Sequence, residues 1–339
     1  MNREYLKNTL ELVKLALSNN SQIPIFQCFC FSSGTVSSYN DTIAIVGPTE
    51  FEGDAGIHGV TLLGLLSTSQ AEELALKLER DTAHLTLGKT VSKLPFQPLE
   101  NFIFTVPKMK WASKVPFTVG LAKALGLCLE TVSNDETQKA LHGITVLGDK
   151  LYSCDGDSLT RVNLETGIGK SRYLLSTQFC SAVLKLWNTL EMTKGELRFH
   201  DEWIMADFGD WTVYGRVLEI QKPIDFEKLI NDNLPKRPKM CSPPEGLSAA
   251  LSRARVLADA ESTKTIITVS KGKALLNTET HMGSITDGLS YNSGTDVVAH
   301  VNASHVQRAL RLADQIAILE NCVVFENSEG VFQLVSNMS

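Results

Sequence analysis

The chain has 339 residues, 43% of them hydrophobic and 21% charged, with a formal net charge of −6. This balance describes a globular protein with core enough for two or three domains, and it excludes one that coats nucleic acid with its whole surface. No apolar run approaches the roughly 18 residues of a membrane span, the Met1-Asn2-Arg3-Glu4 start is not a signal peptide, and the seven scattered cysteines read as buried thiols of a reducing cytoplasm.

The first predicted element is a helix over residues 5–18, with Leu6, Leu10, Val13 and Leu17 on its apolar face and Lys7, Glu11, Lys14 and Ser18 on a polar one. Strands rich in Phe, Ile, Val and Cys run through Val46, followed by a short helix over 60–66. Alternating strands at 74–78 and 85–87 meet at the polar turn Glu79-Arg80-Asp81. Near Lys108 the plan restarts, with helices over 117–132 and 176–190 and a closing ribbon of 195–199 and 203–205. It restarts again after Leu234-Pro235-Lys236-Arg237-Pro238-Lys239, the clearest linker in the chain. Helices over 244–258 and 302–315 and a ribbon of 323–325 with 331–334 complete it.

The repetition is also visible in detail. A strand, a Gly turn and a second strand ending in an acidic turn occur at 31–41, at 146–156 and at 269–279. A period near 115 residues is too long for a solenoid repeat and fits a whole small domain. Three tandem domains of one α+β fold follow, over 1–107, 108–233 and 234–339, each with helices covering one face of antiparallel sheets.

The search for catalytic chemistry is mostly negative. Leu87-Gly88-Lys89-Thr90 and Ile168-Gly169-Lys170-Ser171 look like tails of a phosphate loop, but Ala83 and Leu164 stand where its first glycine is needed, so both read as hairpin turns. Cys28 and Cys30 fall on one face of a core strand, and no other Cys or His pair has ligand spacing. Asp155-Gly156-Asp157 reads as a turn, because the loop lacks the later Glu of a calcium site. No metal, no cofactor and no enzyme activity are expected.

The basic residues on helices carry the functional signal. His305, Arg308 and Arg311 fall three apart on one helix, opposite Val306, Leu310 and Ala313. Arg253 and Arg255 lie on the preceding helix, Lys114 and Lys123 at or on the first helix of the second repeat, Lys185 on its second, and Lys7 and Lys14 on the first helix of all. Each face alone is an ordinary solvated one. Recurrence in all three repeats suggests a basic surface inside an acidic protein, suited to holding a phosphate backbone without reading bases.

These residues resemble a known family, the bacterial-type sliding clamp, the β subunit of replicative DNA polymerase, in bacterial or bacteriophage form. Asp225-Phe226-Glu227-Lys228-Leu229-Ile230 ahead of Leu234-Pro235-Lys236 is similar to the family's acidic-aromatic-basic-basic-apolar segment before its Leu-Pro linker. Ser252-Arg253-Ala254-Arg255-Val256-Leu257 resembles its third-domain helix end, and Cys154-Asp155-Gly156-Asp157-Ser158-Leu159 its Thr-Asp-Gly-His-Arg-Leu turn. His300-Val301-Asn302-Ala303-Ser304-His305-Val306 resembles the entry to its last helix.

The resemblance implies a closed, head-to-tail homodimeric ring of six domains in the cytoplasm. The ring would encircle double-stranded DNA with its helices and tether DNA polymerase and the clamp loader through short peptide motifs, with no membrane role. It further implies a partner-peptide pocket of Leu159, Pro223, Leu229 and Val335 with Lys228 at the rim, and a ring interface of Val256 and Leu257 against the neighbour's strand around Val91. The chain departs from the family in two places: Asp157-Ser158 stand where His-Arg is usual, and Val335-Ser336-Asn337-Met338-Ser339 replaces the Met-Pro-Met-Arg-Leu tail. The alternative is a repeated-domain scaffold, such as a virion component, without a DNA role.

Overall fold

In the computed structural model the described residues are 1–18, 21–102, 104–105, 110–135, 137–164, 168, 171–219, 222–234, 236–257 and 264–338. The first repeat contains α1 (Arg3–Val13), β1 (Cys28–Ser32), β2 (Thr35–Tyr39), β3 (Ile43–Pro48), β4 (Ala55–His58), α2 (Gly59–Thr68), β5 (Leu74–Glu79), β6 (Thr82–Leu87) and β7 (Thr90–Gln97). The second opens with β8 (Ser113–Phe117) and then runs α3 (Val119–Leu129), β9 (Gly143–Leu147), β10 (Lys150–Cys154), β11 (Ser158–Asn163), β12 (Arg172–Ser176), α4 (Thr177–Thr189), β13 (Gly195–Phe199), β14 (Trp203–Asp207) and β15 (Thr212–Arg216). A connecting helix, α5 (Phe226–Asn233), leads to the third: α6 (Leu247–Val256), β16 (Lys264–Ser270), β17 (Lys273–Thr280), β18 (Gly283–Ser290), β19 (Val297–Asn302), α7 (Ala303–Leu310), β20 (Gln315–Ile318), β21 (Cys322–Glu326) and β22 (Val331–Ser336). Helix, four strands, helix, three strands thus recurs three times.

The sequence repeat is a hairpin repeat. β1–β2, β9–β10 and β16–β17 each close through a two-residue turn, with Ser32 opposite Thr35, Leu147 opposite Lys150 and Ser270 opposite Lys273. Such turns need left-handed backbone, which glycine adopts without steric cost. Gly34 sits at φ 74°, Gly148 at 57° and Gly272 at 75°. The Leu87-Gly88-Lys89-Thr90 segment is likewise the β6–β7 turn, with Leu87 paired to Thr90; residues 169–170 of its counterpart lie outside the described residues.

The chain divides into two compact units, residues 1–123 with 175–218, and 124–174 with 219–339. The expected boundary at residue 107 lies outside the described residues. The division cuts through the second repeat because its strands enter two different sheets. In the first unit β8 and β13–β15 continue the sheet of the first repeat, in the order β5-β6-β7-β4-β1-β2-β3-β15-β14-β13-β8. In the second unit β9–β12 join the last ribbon in the order β12-β9-β10-β11-β22-β21-β20, beside a separate sheet β18-β17-β16-β19.

Helices cover one face of these sheets because their apolar stripes have nowhere else to go. In the second unit Leu247, Ala250, Leu251 and Ala254 of α6 and Val306 and Ala309 of α7 pack with Ile267, Val269, Leu276 and Ala299. The other face of that sheet leaves Leu275 and Val298 exposed. In the first unit Gly215 on β15 lets Phe179 of α4 lie against the strand, where a Cβ would come within 2.6 Å of the ring. Six of the seven cysteines are buried, and burial pushes the Cys28 and Cys154 thiols up to about 11, which keeps them protonated and inert. Among the described residues no helix is long and apolar enough to cross a membrane.

Candidate functional site

The first candidate site lies around α5, in the second unit. Asp225 caps this helix by accepting from the Lys228 amide at 3.0 Å. Phe226 stacks on Tyr152 with ring centroids 4.8 Å apart, and Ile230 is buried beside them. Between these apolar anchors the Glu227 carboxylate accepts from Lys150 Nζ at 2.5 Å, Tyr152 Oη at 2.6 Å and Arg161 Nη1 at 3.4 Å. Burial alone would raise the Glu227 pKa; the bonds from Lys150 and Tyr152 and the charges of Arg161 and Lys150 outweigh it and hold it below the usual value. A short helix is thereby fixed to β10 and β11.

Fixing α5 shapes a small cavity of about 50 Å³ lined by Leu159, Leu229, Leu334, Ile230, Asn233 and Ser336, with Cys154, Gly156 and Ser158. Two residues expected in a pocket, Leu159 and Leu229, meet here; Leu229 is 38% exposed and Leu159 only 2%. Pro223 and Lys228 are exposed and do not line it. Val335 is not brought in either. It lies in the core of the third repeat, because strand alternation turns it away from the face that carries Leu334. The register shows the signal that the sequence reading missed: Leu159 pairs with Leu334, and Ser158 with Val335.

The basic residues divide into paired and open ones. Lys7 pairs with Glu4 at 3.4 Å, Lys14 with Glu11 at 2.5 Å and Lys114 with Glu196 at 3.8 Å. Lys14 lies in a 3-10 turn after α1, and Lys114 on strand β8 rather than at a helix. Lys123 falls on α3; Lys185, on α4, is exposed and unpaired among the described residues. Arg253 forks onto Asp287 of β18 at 2.6 and 3.1 Å. Arg255, His305, Arg308 and Arg311 converge, with Ser248, Ser304 and Gln307, on one open cleft of about 620 Å³ over α6 and α7.

Within that cleft the four basic groups differ. Arg308 donates to the Glu130 carbonyl at 2.6 Å, to Asp155 Oδ2 at 3.0 Å and to Ser158 Oγ at 2.5 Å. It therefore fastens α7 to the second repeat. Arg311 pairs with Glu130 at 2.8 Å but is 62% exposed. Arg255 donates to Gln307 at 2.6 Å. His305 Nδ1 is buried without a partner among the described residues, and burial lowers the His305 pKa more than the nearby Asp155 raises it, which favours neutral imidazole. Asp155 itself organises the expected turn, accepting from the amides of Asp157 at 3.1 Å and Ser158 at 2.7 Å.

The third candidate is a pair of strand edges. β7 pairs along its length with β6, but on its other side, among the described residues, only Phe96 and Gln97 meet a strand, β4. β18 ends its sheet, with β17 as its one partner among the described residues. Val91, on the open part of β7, is 57% exposed. Val256, the last residue of α6, is 83% exposed, and Leu257 beside it is half-buried. Among the described residues no group of three or more His, Cys, Asp or Glu is placed to hold a metal.

Solved structures give the comparison. The chain is similar over 100% of its length, and 98% of theirs, to the DNA polymerase III beta subunit of Thermotoga maritima (16% identity, TM-score 0.85) and to the sliding clamps of Pseudomonas aeruginosa (16%, 0.87) and Bartonella birtlesii (15%, 0.88) bound to griselimycin. No protein-family model and no curated protein matches it in sequence. The chain has the fold of the DNA polymerase III beta subunit sliding clamps.

Proposed function

We propose that the protein is a DNA sliding clamp: a non-enzymatic homodimeric ring that encircles duplex DNA in the bacterial cytoplasm and tethers a polymerase and its loader. The observation that carries this reading is a pairing rule. The third strand after the first helix of one repeat pairs with the last strand of the next: β3 with β15, and β11 with β22. Both junctions are antiparallel. Applied once more, the rule asks β18 to pair with the last strand of a further repeat, while β7, the last strand of the first repeat, keeps an open edge. A second copy supplies each with the other, head to tail, and a two-copy arrangement leaves neither of these two edges open. Val91, Val256 and Leu257 then belong to the interface.

The remaining features suit this reading. The α6–α7 cleft offers Arg255 and Arg311 to phosphates with no built base-reading geometry, and Lys185 adds an open charge on α4. Weak, screened contacts of this kind permit sliding, and closure prevents escape. The Leu159–Leu229–Leu334 cavity would seat an apolar side chain of a partner peptide. Domains at 1–107, 108–233 and 234–339 remain the natural division of the repeat.

Light scattering from high micromolar to nanomolar concentration tests the closure. A mass near twice 37.2 kDa, together with retention on circular but not linear DNA, is expected. A monomer throughout, lost equally from both templates, overturns the proposal.

A further inference from the structure

Beside α5 lies a larger cavity of about 470 Å³ that neither the peptide pocket nor the basic cleft includes. Its volume falls in the range of small-ligand sites, roughly 300–1,000 Å³. The lining combines an apolar floor with polar walls. Ile230, Leu234 and Phe332 form the floor, and Arg161, Asn163, Asn231 and Arg237 bring their side chains to the walls.

The walls hold an excess of hydrogen-bond donors. Arg161 lies with its guanidinium carbon 4.6 Å above the Phe332 ring and, among the described residues, donates one hydrogen bond, from Nη1 to Glu227. Its Nε is buried without a partner among the described residues. Among the described residues, one of its five guanidinium donors is in use. Arg237 is 82% exposed and meets Glu326 at 3.2 Å, the carboxylate of this lining. The side-chain amides of Asn163 and Asn231 make no hydrogen bond among the described residues. Among the described lining residues two guanidiniums face one carboxylate, Glu326, which Arg237 engages, so the lining carries one more positive charge than negative. An acceptor-only anion planar enough for a guanidinium fork is a carboxylate, and the aromatic and aliphatic floor asks for an apolar body behind it.

We propose that this cavity is a second binding site, which takes a carboxylate carried on an apolar body. Two sources carry that chemistry: the C-terminus of a peptide ending in an apolar residue, and a free aryl or alkyl carboxylic acid. The site neighbours the peptide pocket along α5 and shares Ile230 with it, but its guanidiniums and amides line this cavity and not that pocket.

The test is titration of the full chain, followed by calorimetry, with four probes: 3-phenylpropanoate, its amide, and acetyl-Ala-Leu-Phe with a free or an amidated C-terminus. Saturable one-site binding of at least one free acid is expected, with its amide weaker by about tenfold or more. Binding of the small acid assigns the source to a free carboxylate, and of the tripeptide alone to a chain terminus. Arg237→Ala and Asn231→Ala, both surface changes, should each weaken the bound acid several-fold, and Arg161→Lys should remove the preference for acid over amide. Leu229→Ala should leave the affinity unchanged. Equal affinity for acid and amide, no binding of either acid, or loss of acid binding in Leu229→Ala with none in Arg237→Ala overturns the proposal.

Discussion

Arg308 on α7 donates to the Asp155 carboxylate at 3.0 Å, with the two side chains only 21% and 17% exposed. A residue spaced like a solvated surface cation is thus a fastener between the third repeat and the second. Arg308→Ala leaves Asp155 without its cation, though still bonded by the Asp157 and Ser158 amides and the Ser158 hydroxyl, and frees the Glu130 carbonyl. It should cost about 2–3 kcal/mol in denaturant unfolding. Arg311→Ala, at an exposed pair, should cost less than about 1 kcal/mol. Equal costs would show that Arg308 is not fastened in solution.

Leu229 and Leu159 line one cavity yet call for different experiments. Leu229→Ala removes a side chain already 38% exposed; stability should fall by about 1 kcal/mol or less while stimulation of a polymerase, or binding of its clamp-docking peptide, is lost. Leu159→Ala empties a position 2% exposed and should cost about 2–5 kcal/mol. The Leu229 variant is the informative one. Unchanged polymerase stimulation would remove the pocket from the mechanism.

Glu227 supplies a pH dependence. Its carboxyl is held below the usual value, against the raising effect of burial, by bonds from Lys150 and Tyr152 and the charge of Arg161. A depressed carboxyl contributes stability that is present above its unfolded pKa, about 4.3, and lost as pH falls through the folded one. Wild type should therefore exceed Glu227→Gln in stability at pH 6–7, and the two should converge as the solution is acidified below about pH 4. Denaturation midpoints across pH 3–7 check this; a constant gap would place the contribution elsewhere.

Val91 and Val256 are 57% and 83% exposed, so substituting them does not disturb a core. Val91→Arg with Val256→Arg should leave thermal unfolding of the subunit nearly unchanged. Burying charge in the proposed interface should weaken association by about a hundredfold or more. Dilution of the variant in light scattering reads this, and a mass identical to wild type at nanomolar concentration would exclude these two positions from the interface.

The repeat was legible because two-residue turns need glycine or another residue tolerant of left-handed backbone, and Gly34, Gly148 and Gly272 mark them. The helices were legible from their apolar spacing, with ends shifted by a few residues. The helix predicted over 302–315 stops at Leu310, since 315–318 is strand β20. What could not be read was pairing at a distance. Nothing local in Val331–Ser336 says that it meets β11, and without that register the facing of Val335 and Leu334 is undetermined. For the same reason Arg308 read as an open cation: its partners stand 150 to 178 residues away. α5 was seen as a motif rather than a helix because its inward anchors number two, Phe226 and Ile230, too few to set a period.

The junctions β3·β15 and β11·β22 are made of main-chain hydrogen bonds, which every residue but proline can supply. Such a joint places few demands on the side chains that flank it. Drift in sequence is then tolerated at the seams of the molecule as long as alternation and turn glycines persist. This is how a chain 15–16% identical to its structural neighbours can share their fold over its whole length: the architecture is specified through the backbone, and the side chains are left free to take other partners.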